Sequence, residues 1–107
     1  VAMAARIGAE LGADLVKTYF VGGTQGYKAV TDHSFAPIVI LGGEKTDHEW
    51  AALQWAREAI DAGAAGTCIG RNVWQHRNAK GMVLALWAIV HEDASFEEAV
   101  EIVKGTG

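Results

Sequence analysis

Apolar residues recur along the chain at two periods, and the switches between them mark its elements. In residues 1–11, Val1, Ala4, Ala5, Gly8 and Leu11 share one helical face, and Gly12 follows where a left-handed cap belongs. Residues 14–20, Asp-Leu-Val-Lys-Thr-Tyr-Phe, read as a short apolar strand with one amine, Lys17, near its end. Residues 22–26 read as a loop and residues 25–31 as a short helix. Pro37 fits the first position of a second strand, Ile38-Val39-Ile40-Leu41, whose unbroken apolar run predicts burial on both faces. Thr46 and Glu49 have capping-box spacing and predict the start of a helix with Trp50, Leu53, Arg57 and Ile60 on one side, ending near Ala62-Gly63. Residues 64–70 form a third, small-residue strand, and residues 71–75 a helical turn. A helix from Asn78 turns Met82, Val83, Leu86, Ile89 and Val90 inward, and Ser95 with Glu98 caps a last helix running to about Lys104.

Strands alternating with helices predict right-handed crossovers and a parallel sheet, hence an α/β fold. Three strands are too few to close a barrel, and an open three-stranded parallel sheet leaves both edges bare. A (β/α)8 barrel takes about 250 residues, so residues 1–107 read as one partial domain, the last part of such a TIM barrel.

Bulk composition narrows the partners. Half of the 107 residues are hydrophobic, 21% are charged and the formal net charge is −4, so no general basic field is available for nucleic acid. An anionic ligand must be held by local groups against that charge. The one cysteine, Cys68, rules out an internal disulfide and suits a reducing cytoplasm. No apolar run reaches membrane-spanning length. The chain opens at Val1 in a helical pattern, without a basic signal region, which suggests a piece of a longer polypeptide.

In a parallel α/β sheet, sites form beyond the carboxyl ends of the strands. The first strand offers Lys17. An ammonium deprived of water loses its preferred state, and the free amine can condense with a ketone or aldehyde to a Schiff base. The plainer alternative is a lysine that snorkels to solvent from a strand edge. The second strand ends in Gly42-Gly43-Glu44-Lys45 and the third in Gly70-Arg71-Asn72, two adjacent small-residue turns with a cation each. Such turns after the last two strands of an eight-fold barrel are where a phosphate is held; taken singly, each also fits a simple turn or a surface ion pair. The four histidines, His33, His48, His76 and His91, are scattered, and no His or Cys pairing has metal-ligand spacing. His48 is expected to face solvent in a first helical turn and His91 to lie near a helix C-terminus. Cys68 reads as a small buried hydrophobe, and Trp50, Trp55, Trp74 and Trp87 as packing residues. Tyr19 is weighed as a proton donor near Lys17 and set aside because strand alternation points neighbouring side chains apart.

Three stretches carry a resemblance: Gly-Ala-Asp-Leu-Val-Lys-Thr-Tyr at 12–19, Ile-Leu-Gly-Gly-Glu-Lys-Thr at 40–46 and Gly-Arg-Asn-Val-Trp-Gln at 70–75. In order and spacing they resemble the archaeal-type class I fructose-bisphosphate aldolases, within the deoxyribose-phosphate aldolase-like group. The stretch from Ile89 through Ala99 is similar to that family's closing segment. The resemblance implies the C-terminal part of a (β/α)8 barrel, about strands 6 to 8, with Lys17 as the Schiff-base lysine on the sixth. Gly42, Gly43 and Lys45 after the seventh strand, and Gly70 and Arg71 after the eighth, would hold a substrate phosphate. It further implies a cytoplasmic, homo-oligomeric lyase of glycolysis and gluconeogenesis that needs no metal or other cofactor, since a protonated imine does the work of a Lewis acid. Two relatives share these segments, the amino-dideoxy-heptulosonate synthase and the thiolase acting on a phosphorylated pentanedione. A non-catalytic phosphate-binding module is the alternative of another class. Glu44 stands where family members commonly carry proline. The family's acid/base tyrosine and aspartate lie on earlier strands, so little activity is expected of residues 1–107 alone.

Overall fold

The computed structural model describes residues 1–20, 23–42 and 48–106. The elements run α1 (Ala2–Glu10), β1 (Val16–Tyr19), α2 (Gly23–Asp32), β2 (Ile38–Leu41), α3 (Ala51–Asp61), β3 (Gly66–Cys68), α4 (Arg71–Trp74), α5 (Ala79–Glu92) and α6 (Phe96–Gly105). The three strands form one parallel sheet in the order β1-β2-β3.

Two glycines deliver helices into strands. Gly12 takes φ 98° and Gly63 φ 104°, a region that side-chain-bearing residues avoid. At the end of α1 the Gly12 N–H donates to the Ala9 carbonyl (3.1 Å) and the Ala13 N–H to the Gly8 carbonyl (3.1 Å). At the end of α3 the Gly63 N–H donates to Ile60 (3.0 Å) and the Ala64 N–H to Ala59 (2.9 Å). This is the Schellman pattern at both sites, and it satisfies carbonyls that the helix leaves open. The expected cap at Gly12 therefore forms, and so does the box at Ser95. The Ser95 hydroxyl accepts from the Glu98 N–H (3.1 Å), while the Glu98 carboxylate accepts from the Ser95 N–H (3.0 Å).

Other boundaries differ from expectation. The segment read as a loop and short helix is one ten-residue helix, α2, from Gly23. Burial of Tyr27 and Val30 against the sheet overrides the weak helix propensity of Gly23 and Gly26. The helix expected from Thr46 and Glu49 begins instead at Ala51, with Trp50 at its N-cap and no side-chain cap bond. Thr46 lies outside the described residues. The Glu49 carboxylate is engaged elsewhere, 2.6 Å from Arg77 Nη2 and 3.5 Å from His76 Nε2. His48 is exposed, as expected, but it precedes that helix rather than sitting in its first turn.

Register separates the two faces of the sheet. Lys17 pairs with Val39, Thr18 with Ile40 and Tyr19 with Leu41, and on the next ladder Val39 pairs with Gly66 and Leu41 with Cys68. Side chains alternate across the pleat. Thr18, Ile38 and Ile40 face the helices and are buried, in a cluster with Ala5, Tyr27, Val30, Ala59 and Ala62. The opposite face carries Lys17, Tyr19, Val39, Leu41 and Cys68, each exposed or half-buried. Burial of β2 on both faces is thus not complete: among the described residues α1, α2 and α3 cover one face, while the other is bordered only on the β3 side, by α5.

The larger core lies between α3, α5 and α6. Leu53, Met82 and Ile89 are fully buried there beside Ala99 and Val103, each large side chain stabilising by roughly 1.5–3 kcal/mol. Asn78 fastens this layer. Its Oδ1 accepts from the Gly81 N–H at 3.0 Å, and its Nδ2 donates to the Val103 and Thr106 carbonyls at 2.9 and 2.7 Å. Val83, expected inward, is exposed, and Val90 is half-buried.

Candidate functional site

Lys17 sits in the middle of β1 rather than at its end, on the face away from the helices, and its side chain is exposed. The desolvation expected of this amine is therefore not supplied by the described residues, which border its face only on the β3 side, through α5. Beside it, Thr18 points into the protein, where its hydroxyl and that of Tyr27 share a buried hydrogen bond. Burial pushes the Tyr27 phenol above its ordinary pKa, with the Thr18 bond acting in the opposite sense. The Phe20 ring packs 5.1 Å from that of Tyr27. This anchors the back of β1 while its front remains open.

Tyr19 corrects a sequence inference. It is two residues from Lys17, not adjacent, so strand alternation places both on the same open face, and both are exposed. Cys68 is a second correction. Its rung is shared with Leu41 and Tyr19, so it lies exposed on that face instead of buried. Trp50 and Trp55 pack against the core as expected, whereas Trp74 and Trp87 are largely exposed.

The open face continues into a cleft of ≈ 700 Å³. Its floor is Lys17, Val39 and Gly66, and its far wall is Trp87, Val90 and His91 of α5. Among the residues lining it, Lys17 is the one Lys, Arg, Asp or Glu. Gly66 adjoins this cleft, and a Cβ built there would lie 3.8 Å from a Val39 methyl and 3.9 Å from a Val90 methyl.

Gly42, the described residue of the first candidate anion turn, lies beside Ile69 and Asn72 of the second at the carboxyl end of the sheet. Gly42 follows β2 and is buried, Gly70 follows β3, and Arg71 opens α4 with its side chain exposed. Gly43 and Lys45 lie outside the described residues, as does Glu44. Lys17 is two rungs before the last, about 6.6 Å along the strand from Tyr19 at 3.3 Å per residue. Asn72 was not singled out in the sequence. It is 5% exposed, and its Nδ2 donates to the Gly42 carbonyl at 3.1 Å. A signal existed, since an amide two places after the Gly70 turn falls on the inward side of the helical turn. Among the described residues, no group of three or more His, Cys, Asp or Glu side chains is placed to hold a metal ion, and no helix is long and apolar enough to cross a membrane.

A parallel βα array with an amine on its open face and glycine turns at its carboxyl end is the architecture of barrel aldolases. Residues 1–76 match the DeoC/LacD family aldolase, and the chain belongs to that family. It is 43% identical over 98 residues to the 2-amino-3,7-dideoxy-D-threo-hept-6-ulosonate synthase of Halobacterium salinarum, covering 91% of this chain and 36% of that protein. It is 45% identical over 100 residues to the 3-hydroxy-5-phosphonooxypentane-2,4-dione thiolase of an Enterobacter species, covering 92% of this chain and 32% of that one. Among solved structures it is similar to an archaeal fructose-1,6-bisphosphate aldolase whose catalytic lysine is covalently bound to the carbinolamine intermediate of the substrate. That match has a TM-score of 0.77 at 38% identity and covers 84% of this chain and 36% of the other. The chain thus spans about a third of the length of these relatives, and its three strands are part of a (β/α)8 barrel.

Proposed function

We propose that this chain carries the Schiff-base lysine and the phosphate-binding turns of a class I aldolase acting on a phosphorylated ketose such as fructose 1,6-bisphosphate. The observation that carries the reading is the placement of Lys17, the one amine of a mostly apolar cleft that also holds His91 and Gly70, on the strand face that leads to the carboxyl end of the sheet, where Gly42 and Gly70 follow β2 and β3. Its likeness to an aldolase with a carbinolamine on its lysine supports the same assignment. The Lys17 amine adds to the ketone carbonyl to give a carbinolamine, which loses water to an iminium. A base then takes the proton of the hydroxyl on the departing carbon as the carbon–carbon bond breaks, its electron pair flowing toward the iminium nitrogen to leave an enamine and release an aldehyde. Protonation of the enamine and hydrolysis return the free amine. Gly42, Gly43 and Lys45, with Gly70 and Arg71, hold a phosphate of the substrate and fix which carbonyl meets Lys17. The proton-transfer partners belong to earlier strands, so residues 1–107 alone form one partial domain with little turnover. The higher identities to the heptulosonate synthase and the thiolase favour their phosphorylated substrates as the second reading, with the same lysine and the same turns.

Borohydride reduction of the intact polypeptide in the presence of fructose 1,6-bisphosphate tests the reading. A covalent adduct mapped by mass spectrometry to Lys17 is the expected result. Phosphate binding with no adduct at any lysine would instead support a non-catalytic binding module.

A further inference from the structure

We infer that Asn72 is a positioning residue that ties Gly42, the residue following β2, to the turn after β3, and so sets the preference for phosphorylated over unphosphorylated ketones; this rests on the reading given above. Three observations carry it. Asn72 is a buried polar side chain, 5% exposed, whose Nδ2 reaches the Gly42 carbonyl at 3.1 Å in a bond the structure places out of solvent. That carbonyl belongs to the first residue beyond β2, at the mouth of one candidate phosphate turn, while Asn72 is two residues beyond Gly70, at the mouth of the other. The same two turns are interlocked a second time, because a Cβ on Gly42 would fall 2.6 Å from Ile69 Cγ2. Parallel strands are joined by long crossovers, so nothing local in the sequence sets how far apart their terminal turns sit. A buried amide-to-carbonyl bond across the pair does so, and a phosphate shared between two turns responds to their separation.

Removing the donor leaves the buried Gly42 carbonyl without this bond. The position is also packed, so two variants are needed. Asn72→Leu keeps the bulk and removes the donor to Gly42 without adding a charge beside the phosphate, and Asn72→Ala removes both bulk and donor. The test is borohydride trapping at Lys17 in the intact polypeptide, titrated separately with dihydroxyacetone phosphate and with dihydroxyacetone. The wild type is expected to trap the phosphorylated ketone at far lower concentration. In Asn72→Leu the half-trapping concentration for dihydroxyacetone phosphate rises about tenfold, while that for dihydroxyacetone is unchanged. Should Asn72→Ala fail to fold by circular dichroism, Asn72→Leu decides alone. A variant that keeps the wild-type preference overturns the role of Asn72 and leaves the Schiff-base reading standing, as does an equal loss for both ketones, which marks a merely structural residue. A wild type that traps neither ketone overturns both.

Discussion

The hydroxyls of Thr18 and Tyr27 share a buried hydrogen bond directly behind the strand that carries Lys17. It joins β1 to the helix after it, α2, so the back of the candidate amine's strand is held by a polar contact inside an apolar layer. The Tyr27 phenol titrates above its ordinary value of 10.0, chiefly because burial disfavours the phenolate. A raised folded-state pKa means that the unfolded chain loses this proton first. The contribution is therefore complete below the ordinary value and is lost as pH rises through the raised one. Urea midpoints measured from pH 8 to 11 should fall at the alkaline end, and less steeply in Tyr27→Phe. That variant should be less stable at neutral pH by about 1 kcal/mol, since Thr18 keeps its second bond, to the Tyr19 carbonyl. An identical alkaline fall in both proteins would remove Tyr27 from the account.

Lys17 is exposed, and among the described residues its side chain has no hydrogen-bond or ion-pair partner. Lys17→Met should then leave stability within about 0.5 kcal/mol while abolishing borohydride trapping. Persistence of the adduct in that variant, at another lysine, would move the chemistry elsewhere.

Gly42 is a glycine for want of space, not for a special φ. Gly42→Ala drives a methyl against Ile69 Cγ2 at 2.6 Å and should destabilise by about 1–3 kcal/mol. Adding Ile69→Ala removes the obstructing methyl, although the Ile69 Cβ remains at 3.3 Å. The double variant should therefore be more stable than the sum of the two single losses, with a favourable coupling above about 0.5 kcal/mol in a thermal-melt cycle. Strict additivity would show that the turn relaxes on its own.

Among the described residues neither outer strand of the sheet has a further strand partner and the Lys17 face is only partly walled, by α5, and Trp74, Trp87, Met3 and Leu11 are more than half exposed. Unpaired parallel edges beside apolar patches recruit other chains. Residues 1–107 expressed alone should self-associate with rising concentration in light scattering. A monodisperse monomer across that range would contradict the expectation.

The local chemistry of the sequence determined the alternation of helices and strands, the glycine exits at Gly12 and Gly63 and the Ser95–Glu98 cap, because each depends on residues a few places apart. It also placed Lys17 and the two glycine turns on successive strands of one parallel sheet. Only the tertiary structure decided which face of that sheet is covered. The apolar run of β2 says that burial suits it, not that a second layer is present, so Cys68, Trp74, Trp87 and Val83 were misplaced by composition alone. The start of α3 was decided at long range as well, since Glu49 is engaged by His76 and Arg77 instead of capping a helix. Asn72 shows the same limit. Its partner is thirty residues away across a crossover, and that distance is set by the packing of βα units against one another, which no local period records.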